Sequence, residues 1–141
     1  MIVLDTNVIS ELMKSTPDKN VTAWLDKQEV TQIYVTSITI AEISYGLNAL
    51  PNSRRRQKLE ESFNKTMHEC FLNRILTFNE PTAFIYGKIM AYRKEIGRPL
   101  SILDGQIAGI ALQHNAQIAT RNLNDFAHCG LELINPFNNH P

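Results

Sequence analysis

Short apolar runs alternate with segments of helical periodicity along the whole chain, and this alternation most constrains the fold. Five runs have the β-branched and apolar composition of strands, at residues 1–4, 33–36, 75–78, 117–120 and 131–134. Parallel strands need a crossover between them, and that crossover is usually a helix. The sequence therefore predicts an α/β fold with a central, mainly parallel β-sheet flanked by α-helices.

The segments between these runs carry the caps and breakers of helices. Apolar spacing, capping residues, prolines and Gly97 predict helices at residues 7–13, 21–27, 39–50, 53–68, 79–97 and 101–115. The chain shows no internal repeat and no long linker. A length of 141 residues is typical of one domain, so we predict a single domain over residues 1–141.

Charge and composition limit the classes of function. The 14 basic and 14 acidic residues cancel, so nucleic-acid binding would need a local basic patch or a metal ion rather than bulk charge. No apolar run approaches the ~20 residues of a membrane span, and the N-terminus lacks the pattern of a signal peptide. We therefore expect a cytoplasmic protein without a membrane partner. Cys70 and Cys129 are expected to be reduced and largely buried.

Acids and amides follow the predicted strands. Asp5 follows the first run, and Asn122 and Asp125 follow the QIAT run. Glu42 is expected in the first turn of the helix after the second run, and Asp104 in the first turn of the helix that starts at Ser101. Ligands of open parallel sheets bind outside the carboxyl ends of the strands. These five residues, distant in sequence, are therefore candidates for one site at that edge.

Each of these positions also fits a helix cap. Capping boxes are consistent with Thr39 to Glu42, Ser101 to Asp104, and Asn122 to Asp125. If the carboxylates instead converge, they repel one another unless a cation joins them. Oxygen ligands without histidine or thiolate nearby favour Mg²⁺, or Mn²⁺, over zinc. Such a site can activate a bound water and hold a phosphate oxygen.

Five stretches together resemble a known family. They read MIVLDTNVISEL, TIAEISYGL, SILDGQIAGIA, ATRNLNDF and INPF, and they span nearly the whole chain. In this order and spacing they resemble the PIN-domain ribonucleases, specifically the VapC-type toxins of type II toxin–antitoxin systems, in the FitB-like branch. The resemblance implies a Mg²⁺-dependent endoribonuclease that hydrolyses RNA through a metal-activated water and is inhibited by its cognate antitoxin.

The resemblance also assigns roles by position. Asp5 and Asp104 become the principal metal ligands, and Glu42 completes the acidic triad. Thr6 and Thr120 support the site by hydrogen bonding.

One position departs from the pattern of many PIN nucleases. Asn122 stands where these nucleases carry a fourth acid, so it is a catalytic candidate that brings no charge. Asp125 either compensates for it or caps the next helix. One metal, with a second arriving with substrate, is the expected arrangement.

The resemblance further implies partners. It predicts a homodimer and a larger hetero-oligomer with the antitoxin, which would reach operator DNA only through that antitoxin. An apolar groove between the early helices would suit an antitoxin helix.

Other functions are compatible with aspartates at strand ends. A phosphoacceptor receiver module would want an acidic pair after the first strand, and a haloacid-dehalogenase-type phosphatase would want Asp-x-Asp, whereas this chain has Asp5-Thr6-Asn7. A PIN nuclease outside toxin–antitoxin biology and a non-catalytic PIN scaffold that acts by binding are further alternatives. The retained Asp5, Glu42 and Asp104 argue against the scaffold.

Two basic sets are candidates for contact with RNA or a partner. The first is Arg54, Arg55, Arg56 and Lys58; the second is Lys88, Arg93, Lys94 and Arg98. The alternative for the first set is a solvated helix face balanced by nearby glutamates.

Overall fold

A five-stranded parallel sheet forms the centre of the fold. The computed structural model describes residues 1–138. Its strands are β1 (Ile2–Leu4), β2 (Ile33–Thr36), β3 (Ile75–Leu76), β4 (Gln117–Ala119) and β5 (Leu133–Ile134), in the order β3-β2-β1-β4-β5. Every pairing is parallel, so the predicted sheet is confirmed.

Helices connect the strands. Over residues 1–138 they are α1 (Thr6–Leu12), α2 (Lys19–Asp26), α3 (Ser37–Asn48), α4 (Arg54–Cys70), α5 (Glu80–Glu95), α6 (Ile102–Gln113) and α7 (Leu123–Phe126), with a 3₁₀ turn at Val30–Gln32. The six longer helices correspond to the predicted segments. The strand predictions at residues 75–78 and 131–134 were too long, because each observed strand pairs over two residues only.

The central strand β1 is buried on both faces. Ile2 and Leu4 belong to one apolar cluster, whereas Val3 belongs to a second. Side chains alternate across a strand, so the two clusters cover opposite faces of the sheet. Burying a Val, Leu or Ile side chain contributes about 1.5–3 kcal/mol. This double burial fixes the strand, and therefore the residue that follows it.

One helix begins earlier than the sequence suggested. The N-cap of α3 is Thr36, whose hydroxyl accepts the backbone N–H of Thr39 at 3.1 Å. The alternative in which Thr39 and Glu42 form a capping box therefore does not hold, and the prediction that Glu42 lies in the first turn was wrong. Glu42 lies in the second turn, because Thr36, three residues earlier, satisfies the free N–H groups of the helix start. The Glu42 carboxylate is therefore not needed to cap α3.

The other candidate caps differ in outcome: Asn79 and Ser101 cap their helices, whereas Asn122 does not. Asn79 forms a reciprocal capping box with Thr82, and the Ser101 hydroxyl accepts the N–H of Asp104. Asn122 precedes α7, but its side chain makes no capping hydrogen bond, so the capping alternative for Asn122 and Asp125 does not hold. This helix is only four residues long, and its start is held by backbone contacts instead.

The cysteine prediction was half right. Both cysteines are free, and Cys129 is buried. Cys70, however, is exposed, because it is the last residue of α4 and lies on its solvent side.

Arg93 was a candidate for surface contact, and that prediction is wrong. Its side chain is buried, with 4% of the residue exposed. The guanidinium donates to three carbonyl oxygens, at 2.7 Å to Arg98, 3.1 Å to Asp125 and 2.7 Å to Ala127. Arg93 therefore ties α5 to the segment that carries α7, where Asp125 lies.

Replacing Arg93 should destabilise the protein markedly. Arg93→Ala leaves buried carbonyl groups without a donor, and we expect a loss of about 2–4 kcal/mol in the free energy of unfolding. Urea unfolding followed by circular dichroism measures it. The neighbouring exposed Lys94 provides the control, since Lys94→Ala should change stability by less than about 0.5 kcal/mol. Equal unfolding midpoints for the two variants would contradict this role.

Candidate active site

Asp5 lies where β1 ends and α1 begins. It is 5% exposed and is the N-cap of α1, where its Oδ1 accepts the N–H of Thr6 at 2.8 Å. Its own N–H donates to the carbonyl of Ala119 in the neighbouring strand. A cap normally has its carboxylate in solvent, but the burial of β1 on both faces draws this one to the core boundary.

The second oxygen of Asp5 is held by the adjacent strand end. Thr120 donates its hydroxyl to Oδ2 at 2.8 Å, and Asn7 donates its amide to the same oxygen at 3.1 Å. Thr120 in turn accepts the backbone N–H of Asn122 at 3.0 Å. The side chain orientation of Asp5 is therefore fixed by groups from both ends of the sequence.

Glu42 reaches the same region from α3. The hydroxyl of Thr6 donates to Glu42 Oε1 at 2.9 Å, and it lies 3.0 Å from the hydroxyl of Thr39. Thr6 follows Asp5 directly, so this hydrogen bond joins two of the predicted acids. Thr39 is fully buried, so its contact with Thr6 fixes the position of Thr6 along α3.

Asp104 completes the group from the first turn of α6. Ser101 caps this helix, and the packing of Ile107 and Ala108 into the second apolar cluster holds it against the sheet. Asp104 itself is half-buried.

A cleft of about 410 Å³ contains these acids. It is lined by all five site candidates that the sequence predicted: Asp5, Glu42, Asp104, Asn122 and Asp125. The predicted convergence at the carboxyl edge of the sheet is therefore observed. Asn122 and Asp125 are exposed at its mouth.

The acids influence one another electrostatically. The pKa of Asp5 is raised to about 6: burial is the largest cause and the nearby Asp104 and Glu42 carboxylates add to it, whereas the hydrogen bonds from Thr120 and Thr6 oppose it. Burial also raises the pKa of Asp104; Asp125 adds to that rise, and the Ser101 hydrogen bond and Arg93 oppose it. Negative charge in this cleft is thus unfavourable without a compensating cation.

The donor atoms of the cleft fit a hard divalent cation. Carboxylate, amide and hydroxyl oxygens line it, and among the described residues no histidine or cysteine does so. Within residues 1–138, however, no three acidic, histidine or cysteine side chains stand at distances that would by themselves hold a metal. Mg²⁺ usually binds one or two protein carboxylates and keeps several waters, which matches this spacing.

Five further residues that line the cleft were not predicted from the sequence. They come from α1, from the turn after it and from the loop after β4: Asn7, Ser10, Glu11, Lys14 and Arg121. Glu11 is 5% exposed and accepts from Lys14 at 2.9 Å and from Arg121 at 3.2 Å. The spacing of residues 7, 10, 11 and 14 on one helix face would have indicated a polar stripe.

The first basic set divides in the structure. Arg56 pairs with Glu60 at 2.7 Å and donates to the Leu50 carbonyl and to Asn48, so it ties α4 to the end of α3. Arg54, Arg55 and Lys58 are exposed. Of these, Arg55 lines a second, larger groove of about 810 Å³ that adjoins the acidic cleft and has an apolar floor including Ile43, Leu47 and Leu59.

The architecture is thus that of an α/β protein with an acidic site at the carboxyl edge of a parallel sheet. The sequence profile of the PIN domain matches residues 2–130. The chain belongs to the PIN domain family, so the family resemblance of the sequence motifs is confirmed.

Curated relatives extend over the same length. The chain is 39% identical to the VapC ribonuclease Y4jK of Sinorhizobium fredii over 137 residues, covering 97% of this chain and 98% of that protein. It is also 39% identical to toxin FitB of Neisseria gonorrhoeae, covering 97% and 99%. A solved structure of FitAB bound to an IR36 DNA fragment matches with a TM-score of 0.93 at 38% identity, over 100% of this chain and 99% of that one.

In residues 1–138, none of the helices has both the length and the apolar character needed to cross a bilayer.

The raised pKa of Asp5 predicts a pH-dependent stability in the absence of divalent metal. The folded state binds this proton more tightly than the unfolded chain, in which an aspartate titrates near ~3.9. Below that pH Asp5 is protonated in both states and does not lower the free energy of unfolding. Above pH 6 its ionisation lowers the free energy of unfolding by about 3 kcal/mol. Asp5→Asn removes this cost, so its stability relative to wild type should rise by about 1 kcal/mol between pH 5 and pH 7.5.

Urea unfolding in EDTA at the two pH values measures this difference. The pKa of Asp104 is raised in the same direction, so the comparison with Asp5→Asn is needed to isolate Asp5. A stability difference between the two proteins that stays constant with pH would show that Asp5 ionises normally.

Proposed function

We propose that this protein is the toxin of a type II toxin–antitoxin system and acts as a metal-dependent endoribonuclease. One observation carries the chemistry: acids from three separate segments meet in one oxygen-lined cleft. The relatives described as a VapC ribonuclease and a FitB toxin cover nearly the full chain, which supports the substrate class and the biological role. The main alternatives are a PIN nuclease outside toxin–antitoxin biology and a non-catalytic binding module.

The side chains of the cleft have distinct parts in this proposal. Asp5 and Asp104 hold the cation, and Glu42 contributes directly or through a bound water. Thr6 holds Glu42, and Thr120 holds Asp5. These hydroxyl groups keep the carboxylates in place while their charges repel, so the acids need not reorganise when a cation and a phosphate arrive.

Mg²⁺, when bound, would supply Lewis acidity and lower the pKa of a water that attacks the phosphodiester. Mn²⁺ has the same preference for oxygen ligands and would substitute for it. Asp5 and Asp104 would orient this cation, and Glu42 would accept a proton or a hydrogen bond from a water in the cleft.

The fourth acidic position is proposed to be Asp125 rather than Asn122. Both line the cleft, but only Asp125 carries a charge, and it is the neighbour that raises the pKa of Asp104. Arg93 fixes the carbonyl of Asp125, so its backbone is held firmly. Asn122 would contribute an amide at the mouth, where it can contact substrate.

A partner is part of this proposal. The solved FitAB structure contains DNA, which supports a cognate antitoxin that inhibits the enzyme and carries the complex to operator DNA. The larger groove beside the acidic cleft has an apolar floor and a rim that includes Lys14 and Arg55, as an antitoxin helix would require. A homodimer and a larger toxin–antitoxin assembly in the cytoplasm complete the proposal.

We also propose that residues 1–141 form one PIN domain. The family match ends at residue 130, but Ile134 and Phe137 pack against the first apolar cluster. Strand β5 is paired with β4 as well. These contacts support a single domain that extends past residue 130; residues 139–141 lie outside the described part.

Purified, antitoxin-free protein should cleave RNA in the presence of Mg²⁺. Asp104→Asn removes a charged cation ligand, which is worth several kcal/mol, so we expect a loss of at least about 100-fold in the cleavage rate. Total cellular RNA with mapped product ends provides the assay, and EDTA should abolish the products. Full activity of Asp104→Asn at saturating Mg²⁺ would contradict the assignment.

Two further measurements separate an enzyme from a silent scaffold. Asp26 is an exposed acid on α2, and Asp26→Asn should cleave like wild type. Mg²⁺ should raise the thermal midpoint of wild type and Asp26→Asn, and raise that of Asp104→Asn much less. A protein that binds Mg²⁺ but cleaves no RNA would support the binding module instead.

Asp125 and Asn122 can be distinguished by Mg²⁺ affinity. Asp125→Asn should weaken Mg²⁺ binding by about 10-fold, because it removes negative charge beside Asp104. Asn122→Ala should change it by no more than about 2-fold, as is usual for an exposed polar group. Isothermal titration with MgCl₂ measures both, and the reverse order would make Asn122 the ligand.

A further inference from the structure

The backbone of Arg121 is fixed beside the acids. Arg121 follows Thr120, whose hydroxyl donates to Asp5. Its N–H donates to Asn7 Oδ1 at 3.2 Å, and its carbonyl oxygen accepts from Asn135 Nδ2 at 3.4 Å. The Cα position of Arg121 is therefore fixed at the edge of the acidic cleft.

The guanidinium group of Arg121 is held on two sides. Its Nη2 lies 3.2 Å from Glu11 Oε1, and its central carbon lies 3.9 Å from the centre of the Phe137 ring. This combination of an ion pair with a cation–π contact restricts a side chain that is otherwise flexible. The side chain still remains 51% exposed, so it is ordered but accessible.

Most hydrogen-bond donors of this guanidinium remain available. Arginine carries five N–H donors in a planar fork that matches phosphate geometry. Within residues 1–138, the hydrogen bond to Glu11 is the one that the side chain of Arg121 makes. Arg121 lines both the acidic cleft and a neighbouring polar hollow of about 530 Å³, so a ligand that passes between them meets it.

Charge is distributed unevenly across the cleft. Glu11, Lys14 and Arg121 form what we call the basic wall, in which one carboxylate contacts two cations. The Glu11 carboxylate also accepts the N–H of Asp18 at 3.0 Å. This wall therefore keeps one net positive charge, in the same cleft that Asp5 and the other acids line. A cation and a phosphate can bind side by side without competing for the same groups.

We propose that Arg121 binds a backbone phosphate of the RNA next to the scissile one, and that Glu11 and Phe137 position its guanidinium for this contact. The inference rests on the proposed ribonuclease function and adds a substrate-binding residue to it. Because the chain has no net charge, a fixed cation beside the acids would provide much of the local attraction for RNA.

Salt-dependent RNA binding tests the contact. The probe is a fluorescein-labelled single-stranded RNA of about 12 nucleotides, a length typical of single-strand sites, followed by anisotropy. Ca²⁺ replaces Mg²⁺, because it also binds oxygen ligands, and a gel verifies that the RNA stays intact. Arg121→Gln should raise Kd by about 10-fold at low salt and reduce the slope of log Kd against log salt by about 0.7, the value for one phosphate.

A matched control and two conservative variants separate binding from structure. Lys65→Gln removes an exposed charge on α4 and should keep the wild-type Kd and slope. Arg121→Lys and Phe137→Ala retain the positive charge at position 121, so both should weaken binding about 3-fold with an unchanged slope. If Arg121→Gln does not fold, these two variants decide, and wild-type Kd values in both would overturn the proposal.

The result also separates this inference from the proposed function. Arg121→Gln should retain the rise in thermal midpoint that MgCl₂ gives wild type, because the proposed cation ligands are untouched. Wild-type Kd and slope in a folded Arg121→Gln would overturn the role of Arg121 alone and leave the ribonuclease intact. Failure of the wild type to bind or cleave any RNA would overturn both.

Discussion

The hydrogen bond from Thr120 to Asp5 joins the ends of two neighbouring strands, and the site depends on it. It forms because β1 and β4 pair in register from Ile2 to Leu4, so that residues 5 and 120 emerge side by side. The apolar burial of β1 on both faces sets that register, since a shift of one residue would turn Val3 out of its cluster. The same packing that stabilises the core therefore places a carboxylate at its boundary with little freedom to move.

The buried position of the Asp5 carboxylate lowers the stability of the fold and favours the binding of a cation. A buried carboxylate next to two others is destabilising when all are ionised, and the hydrogen bonds from Thr6 and Thr120 offset only part of that effect. The fold tolerates it because the remaining contacts of the region are fully satisfied: among the described residues, no buried side-chain nitrogen or oxygen lacks a partner. The instability is thus confined to charge repulsion, which a divalent cation relieves directly. This is the arrangement in which cation binding and folding reinforce each other.

The sequence predicted the sheet well because apolar runs and helix breakers are local features. The sequence also predicted that Asp5 and Asp104 lie at one edge of the sheet, because the carboxyl ends of parallel strands and the helix starts beside them share that edge. It misplaced the start of α3, because Thr36 and Thr39 are equally competent caps and only the length of β2 decides between them. Arg93 looked like a surface residue for a related reason: its three carbonyl partners lie up to 34 residues away, and no local pattern indicates such contacts.

The presence of both carboxylates and fixed cations in one cleft explains how a chain without net charge could act on a polyanion. Acids alone would repel RNA, and a wholly basic cleft would not retain a cation. Here Glu11 contacts both Lys14 and Arg121, which holds the two cations together in the cleft that Asp5 and Asp104 also line. Glu11 is itself nearly buried, so its charge acts on its two partners more than on solvent. Glu11 therefore differs from the other carboxylates of the cleft, because it organises positive charge there.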